Sequence, residues 1–374
     1  MPKKFYEESI EERRRLIFKK TGGFEYSNVL HEFEAEKMIE NCIGVYGLPL
    51  GVLPAVLING NQVMVPMVTE EPSVVAGANS ASKTVNMYGG VSVIPPQMNI
   101  ISGQILVSVS DLDRSINKIR ESQTFLIKEA NKICRNMVER GGGCVAVRVE
   151  PTAENLICVY FDIDTKDAMG FNCANSLVED ISPIVATVTN GTCRLKIATN
   201  NFNQRVFRAT IRIPVNGLKY KNIEGKEIAE GFCLASKWAE KDPDRAITHN
   251  KGIMNGIDAV GIASGQDWRA IEASAHIYAC RSGKYSPLSK YWVSDEHLHG
   301  QLDIPLAIGI VGGSTQINPG SKDSIKLMGC TTSMELGCVM AAVGLLQNFA
   351  AVRALYSEGI QSGHMRLHAR KFMK

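Results

Sequence analysis

Gly141-Gly142-Gly143-Cys144-Val145-Ala146-Val147-Arg148-Val149 decides how the middle of this chain is read, because the spacing of apolar residues changes on either side of it. Before it, Asp111 to Glu139 carries Ile116, Ile119, Leu126, Ala130, Ile133 and Met137 at helical spacing, and the triple glycine supplies the residue at which such a helix stops. After it, Cys144 to Val149 and Leu156 to Ile163 are β-rich runs joined by a turn over Pro151 to Asn155. Upstream, Gln104 to Ser110 alternates as a strand does. Downstream, Phe171 to Val188 is helical, Asn190-Gly191 turns the chain, and Thr192 to Ala198 is a strand. The resulting order, β-α-β-β-α-β, predicts a ferredoxin-like unit; no G-x-G-x-x-G follows any predicted strand, so a Rossmann unit is not expected. The fold class predicted is α+β. Residues 1–102 and 209–362 form a large mixed helical and sheet domain, 103–208 form a small domain inserted into it, and 363–374 form a short C-terminal segment.

At 374 residues, 45% hydrophobic and 21% charged, the chain is long enough and apolar enough for two domains with substantial cores, which excludes a disordered protein. A formal net charge of +3 suits an anionic small substrate and argues against nucleic acid as a partner. Ten cysteines at irregular spacing fit reduced thiols in a cytosolic protein. Met1 to Lys20 is a charged helical segment without the apolar core of a signal peptide, so the protein is expected in the cytoplasm. The uncharged run Leu336 to Val352 falls short of the ~20 apolar residues a bilayer span needs, and is expected to be a buried core helix, with no membrane partner.

Several segments look unlike packing sequence. His249-Asn250-Lys251-Gly252-Ile253-Met254-Asn255-Gly256 reads as a polar loop of small residues; further on, Gly265 opens a helical pattern (Trp268, Ile271, Ala275, Tyr278) that begins beside Asp267. A lysine that stays cationic in a closed site needs a carboxylate beside it, and Asp267 is the candidate; taken alone, the two are an ordinary loop lysine and a helix-start aspartate. In Thr69-Glu70-Glu71-Pro72-Ser73 neighbouring side chains diverge, so one glutamate can face a site as a general acid, while Ser73 can cap a helix. Glu40 to Gly44 sets polar groups in a Gly/Pro-rich loop. Asp167-Ala168-Met169-Gly170-Phe171-Asn172 lies at a strand-to-helix junction, where small residues and free N–H groups suit a phosphate. Val311 to Thr315 is a glycine turn that either binds or only bends. His364 and His368 have the i, i+4 spacing of zinc ligands, but the glutamate of H-E-x-x-H is absent and Arg366 and Arg370 oppose a cation, so a proton-donor role ranks above metal binding.

Taken together, these segments resemble the soluble, prokaryotic-type class II form of 3-hydroxy-3-methylglutaryl-coenzyme A (HMG-CoA) reductase, from the helix before Glu40 to Arg370. The resemblance implies a two-step, four-electron reduction of HMG-CoA to mevalonate and free coenzyme A, or its reverse, in the mevalonate pathway of isoprenoid biosynthesis. It makes Lys251 the donor to the substrate carbonyl, Asp267 the aspartate that holds this lysine charged, Glu71 the proton carrier at the mevaldehyde stage, and His364 the group that protonates the coenzyme A thiolate. Ser73, Asn200, Arg245 and Asn255 fall where the family contacts substrate, Arg245 suiting the free carboxylate. Asp167, Ala168, Met169, Gly170 and Asn172 would take the nicotinamide cofactor. Where NAD-preferring members carry an acid for the adenosine ribose, this chain has Cys134 followed by Arg135, which implies NADP(H) over NAD(H). The family also implies a homodimer or an oligomer of dimers, and no metal. Its small helical flap follows the histidine motif; only the start of that flap, 363–374, is expected here. Two rival readings are a catalytically silent coenzyme A-binding protein on the same scaffold and a metal-dependent hydrolase built on His364 and His368.

Overall fold

The computed structural model describes residues 4–357 except 24 and 27–29, together with residue 359. In chain order it begins with α1 (Ile10–Lys20), α2 (Glu32–Ala35), the antiparallel hairpin β1 (Leu50–Ile58) and β2 (Asn61–Val68), α3 (Val74–Asn86) and β3 (Ser92–Ile94). Next come β4 (Ile100–Ser108), α4 (Leu112–Glu121), α5 (Gln123–Ile133), α6 (Arg135–Glu139), β5 (Gly143–Ala153), β6 (Leu156–Asp164), α7 (Phe171–Thr189) and β7 (Thr192–Ala198). The remainder is β8 (Val206–Pro214), α8 (Gly225–Lys241), α9 (Pro243–Ala263), α10 (Trp268–Ala279), β9 (Ser289–Ser294), β10 (His297–Pro305), α11 (Ser314–Ile317), α12 (Pro319–Met328) and α13 (Ser333–Ser357). Strands β3-β8-β10-β9 form one antiparallel sheet, and β5-β6-β4-β7 form a second, with α4, α5 and α7 packed on it.

Helix α13 is long and apolar enough to cross a membrane by length and composition, yet it lies against α3, α8, α9 and β8, with Leu336, Met340, Val343, Leu346 and Val352 buried. A helix apolar on all sides is satisfied only by neighbours on all sides, as here. It meets α9 closely at Gly256, where a Cβ would stand 2.9 Å from Gln347 Cβ and 3.1 Å from Val343 Cγ1. That glycine lets α9 lie flush on the core and fixes the height at which its other face projects.

The helix expected as one piece over Asp111 to Glu139 is three. It breaks at Ser122 (ψ 6°) and Cys134 (ψ 28°), where the backbone leaves the helical region and the pieces step across the curved sheet. Its stop is where the glycines stand, with Gly141 at φ 83°. Arg205 is wholly buried between the two sheets' connections. Its guanidinium donates to the carbonyls of Asn99 (3.0 Å), Ile100 (2.8 Å) and Met169 (3.0 Å) and to Thr165 Oγ1 (2.8 Å), tying the chain entering β4 to the Asp167–Gly170 segment.

Candidate active site

Lys251 stands on a helix. The polar loop expected around it is the middle of α9, whose start is set by Asp242 accepting from the N–H groups of Asp244 (3.0 Å) and Arg245 (3.4 Å), with Pro243 in the first turn. Gly252, Asn255 and Gly256 are weak helix formers, but packing of Gly256 on α13 outweighs their propensity. Helical spacing puts Lys251, Asn255 and Asp258 on one face. Across from that face, the turn between β2 and α3 presents Glu71, and Lys251 Nζ donates to Glu71 Oε2 at 3.1 Å. Glu70 points into solvent, while Glu71 is half-buried. Both partners of the pair stay reachable, the lysine side chain 61% and the glutamate 34% exposed, as groups that must meet a reactant have to be.

The partner of Lys251 here is therefore Glu71 and not Asp267. Asp267 occupies the N-cap of α10, where Oδ1 accepts from Ala270 N–H (3.1 Å) and faces Arg269 Nη2 at 3.2 Å. Two turns along α9 from the lysine lies a further acid, Asp258, hydrogen-bonded to Glu272 of α10. Burial first, then the bond to Glu272 and its charge, push Asp258 up to about 8, with the Lys251 charge acting in the opposite sense. Glu272 Oε2 is in turn 2.8 Å from His276 Nε2, and His276 Nδ1 lies 2.8 Å from Tyr285 Oη. His249, one turn before Ile253 on the buried side of α9, is held by Ser289 Oγ at 2.6 Å and is pushed down to about 3 by desolvation, so it serves as a neutral anchor.

Of the other expected contacts, Ser73 takes the N-cap position of α3 at φ 83°, without a capping bond from its side chain. Arg245 lies in the first turn of α9, its guanidinium 5.6 Å from the Trp238 ring and its Nε buried without a hydrogen-bond partner among the described residues. Asn200 is exposed just after β7, and Asn255 is half-buried. The Asp167–Asn172 segment is strapped down on both sides: Asp167 Oδ1 accepts from Ser333 N–H (2.7 Å), Thr165 Oγ1 donates to the Ala168 carbonyl (2.7 Å), and Arg205 holds Met169. Gly170 follows at φ 101°, with Thr165 Cγ2 filling the place a Cβ would take, and caps α7 with no side chain over its N–H groups; Asn172 is exposed in the first turn. Cys134 is buried at the α5–α6 junction and Arg135 is exposed, paired with Glu139 at 2.9 Å. His364, Arg366, His368 and Arg370 lie outside the described residues, and among the described residues no three His, Cys, Asp or Glu side chains are grouped to hold a metal.

Sequence reasoning missed two features. The Asp258–Glu272 pair leaves only a faint trace, an acid at i+7 from Lys251 and an i, i+4 Glu272–His276 pair on the next helix. The second is a cleft of about 1330 Å³ lined by α1 and α3, with Arg13, Arg14 and Lys83 giving charge and Val75, Ala76 and Asn79 among its other lining residues. It opens immediately beyond the Glu71–Ser73 turn.

The exposed ammonium–carboxylate pair stands beside the turn that leads into α3, and α3 helps line the basic cleft. The hydroxymethylglutaryl-coenzyme A reductase family model matches residues 9–369. The 3-hydroxy-3-methylglutaryl-coenzyme A reductase of Archaeoglobus fulgidus is 39% identical over 98% of this chain and 85% of its own length, and a probable reductase of Borreliella burgdorferi is 34% identical over 100% and 86%. Among solved structures, a class II reductase from Streptococcus pneumoniae bound to NADPH in open conformations superposes with a TM-score of 0.91 at 37% identity, covering 94% of this chain and 99% of that one. This chain belongs to the HMG-CoA reductase family, in class II.

Proposed function

We propose that the protein is an HMG-CoA reductase that interconverts HMG-CoA with mevalonate and free coenzyme A, using two NADP(H), in the cytoplasm. The observation that carries this is the Lys251–Glu71 pair at 3.1 Å, set in a chain that the family model covers from residue 9 to 369. Lys251 Nζ donates to the substrate carbonyl oxygen and stabilises the charge that develops there, an ammonium being the strongest kind of donor for an oxyanion. Glu71, already in contact with that ammonium, is placed to give or take the proton at the mevaldehyde stage. Asp267 is assigned to hold the lysine charged, which requires its carboxylate to turn from Ala270 and Arg269 as the site closes. His364 is assigned to protonate the coenzyme A thiolate. Arg245, with its unpartnered Nε, suits the free carboxylate of the substrate, and Ser73, Asn200 and Asn255 its polar remainder.

The nicotinamide cofactor supplies hydride when bound. The residues that fit it are Asp167, Ala168, Met169, Gly170 and Asn172, because the left-handed Gly170 leaves the first N–H groups of α7 uncovered for phosphate. This reading makes residues 103–208 an inserted ferredoxin-like cofactor domain, with the strand order β5-β6-β4-β7 as its support. Uncharged Cys134 beside Arg135 favours a 2′-phosphate, and the related pneumococcal structure holds NADPH. Arg13, Arg14 and Lys83 suit the phosphates of coenzyme A, with its uncharged arm along Val75 and Ala76. A homodimer is expected, as is independence from metal. The test is oxidation of NADPH and of NADH at equal concentration with HMG-CoA, with and without chelator. No HMG-CoA-dependent oxidation with either cofactor would end the reading, a strong NADH preference would end the cofactor assignment, and loss with chelator would restore the hydrolase-type metal site.

A further inference from the structure

Cys134 and Cys173 are 39 positions apart in the chain, yet their sulfurs lie 3.8 Å from one another, in hydrogen-bond contact and unlinked. Cys134 is the buried residue at the bend between α5 and α6; Cys173 is half-buried in the first turn of α7, next to Asn172. No other pair of thiols makes such a contact among the described residues. A disulfide needs about 2.05 Å between sulfurs, so closing this one asks the two to approach by under ~2 Å. The two thiols also differ as a nucleophile and a resolving partner must. The hydrogen bond from Cys134 and the nearby Arg140 charge pull Cys173 down to about 7, while the same bond and burial push Cys134 up. By contrast, burial above all pushes Cys144 and Cys330 to about 12, which leaves them inert.

We propose that Cys134 and Cys173 form a reversible two-electron oxidation site that a peroxide closes to a disulfide. The Cys173 thiolate attacks one peroxide oxygen, the O–O bond breaks, and a sulfenic acid and water form after proton uptake. The Cys134 sulfur then attacks the Cys173 sulfur, displacing water and losing its proton. Two thiols and one hydrogen peroxide thus give one disulfide and two waters, and a dithiol reverses it. The bond would staple the end of α5 to the first turn of α7, one residue beyond Asn172. Its effect on function rests on the cofactor placement proposed above: the staple sits where the phosphates and the adenosine ribose would bind, so the oxidised protein should lose its nicotinamide cofactor.

The experiment treats the full chain with graded hydrogen peroxide, blocks remaining thiols, and reads intact mass and a non-reducing peptide map. The expected result is a loss of about 2 Da before blocking, from two hydrogens, two fewer blocked thiols after it, and the Cys134 and Cys173 peptides joined. NADPH binding, followed by nicotinamide fluorescence, should weaken at least about tenfold, which is ~1.4 kcal/mol, and recover with dithiothreitol. In Cys173→Ser the cross-link should be absent while Cys134 stays a free thiol. Peroxide that leaves both thiols free, or carries Cys173 to a sulfinic acid without cross-linking, overturns the proposal whatever the variant does. A cross-link that forms without changing NADPH binding overturns its functional half. Untreated protein that fails to oxidise NADPH with HMG-CoA, yet cross-links as expected, would locate the error in the reductase reading instead.

Discussion

Replacing Lys251 by alanine separates chemistry from stability, because the structure gives the two effects different sizes. The lysine side chain is 61% exposed and its ion-pair partner, Glu71, is 34% exposed, so the pair sits in a wet, screened setting. Such a pair contributes about 0–1 kcal/mol to folding, and truncation of an exposed side chain opens no cavity. For a chain of this size 1 kcal/mol moves Tm by no more than ~2–4 °C. Loss of a donor aimed at a developing oxyanion, by contrast, removes about 10²–10³ in rate, or ~2.7–4 kcal/mol of transition-state stabilisation. The expected outcome is a kcat for HMG-CoA-dependent NADPH oxidation lower by at least about 10², KM for HMG-CoA within a few-fold, and a Tm shifted by no more than ~2–4 °C. Steady-state absorbance measurements and thermal unfolding on the same preparation read all three. A variant that retains full rate, or one whose rate loss is matched by a collapse in Tm, would refute the assignment of Lys251 to the reacting oxygen.

Asp258→Asn probes the half-buried acid pair. Asp258 has a folded pKa of about 8 against an ordinary 3.8, so the folded state favours its protonated form, and its contribution to stability is full below pH 3.8 and is lost as pH rises through about 8. His249, held down at about 3, acts the other way below its ordinary value of 6.5. The fall in Tm between roughly pH 7.5 and 8.5, where His249 is essentially neutral in both states, should therefore shrink in the asparagine variant; an identical fall would show that Asp258 does not carry the titration. Gly170→Ala should cost roughly 1–3 kcal/mol, since the residue sits at φ 101° with Thr165 Cγ2 in the way of the new carbon, and should raise KM for NADPH more than KM for HMG-CoA. Equal effects on both would argue against a cofactor role for that turn. Arg205→Met removes the guanidinium's bonds to the carbonyls of Ile100 and Met169, at ~1–3 kcal/mol each, while the Asn99 carbonyl keeps Thr165 as its donor; it should lower the denaturant midpoint severely, whereas an unaltered midpoint would mean water replaces the guanidinium.

Most strands and helices from Ile100 to Ala198 were legible because burial writes its period into the local sequence, as in α4 and α7; the two breaks that divide Asp111 to Glu139 into three helices were not. Lys251 was legible as a residue of interest but not as a helical one: Gly252, Asn255 and Gly256 look like loop, and what makes them helix is a contact between Gly256 and Val343 of α13, far along the chain. The same limit governs the chemistry. Glu71 meets Lys251 across 180 positions, Asp258 draws its perturbed acidity from burial and from Glu272 on another helix, and Cys173 draws its own from Cys134. A side chain's type and its immediate neighbours announce that it can ionise; the pKa at which it does so is set by burial and by partners that only the fold brings near. This is why Cys134, singled out by the family resemblance, gave no sign of its partner in the sequence, and why the reactivity argued for that pair belongs to the two helix ends that hold it and not to either cysteine alone.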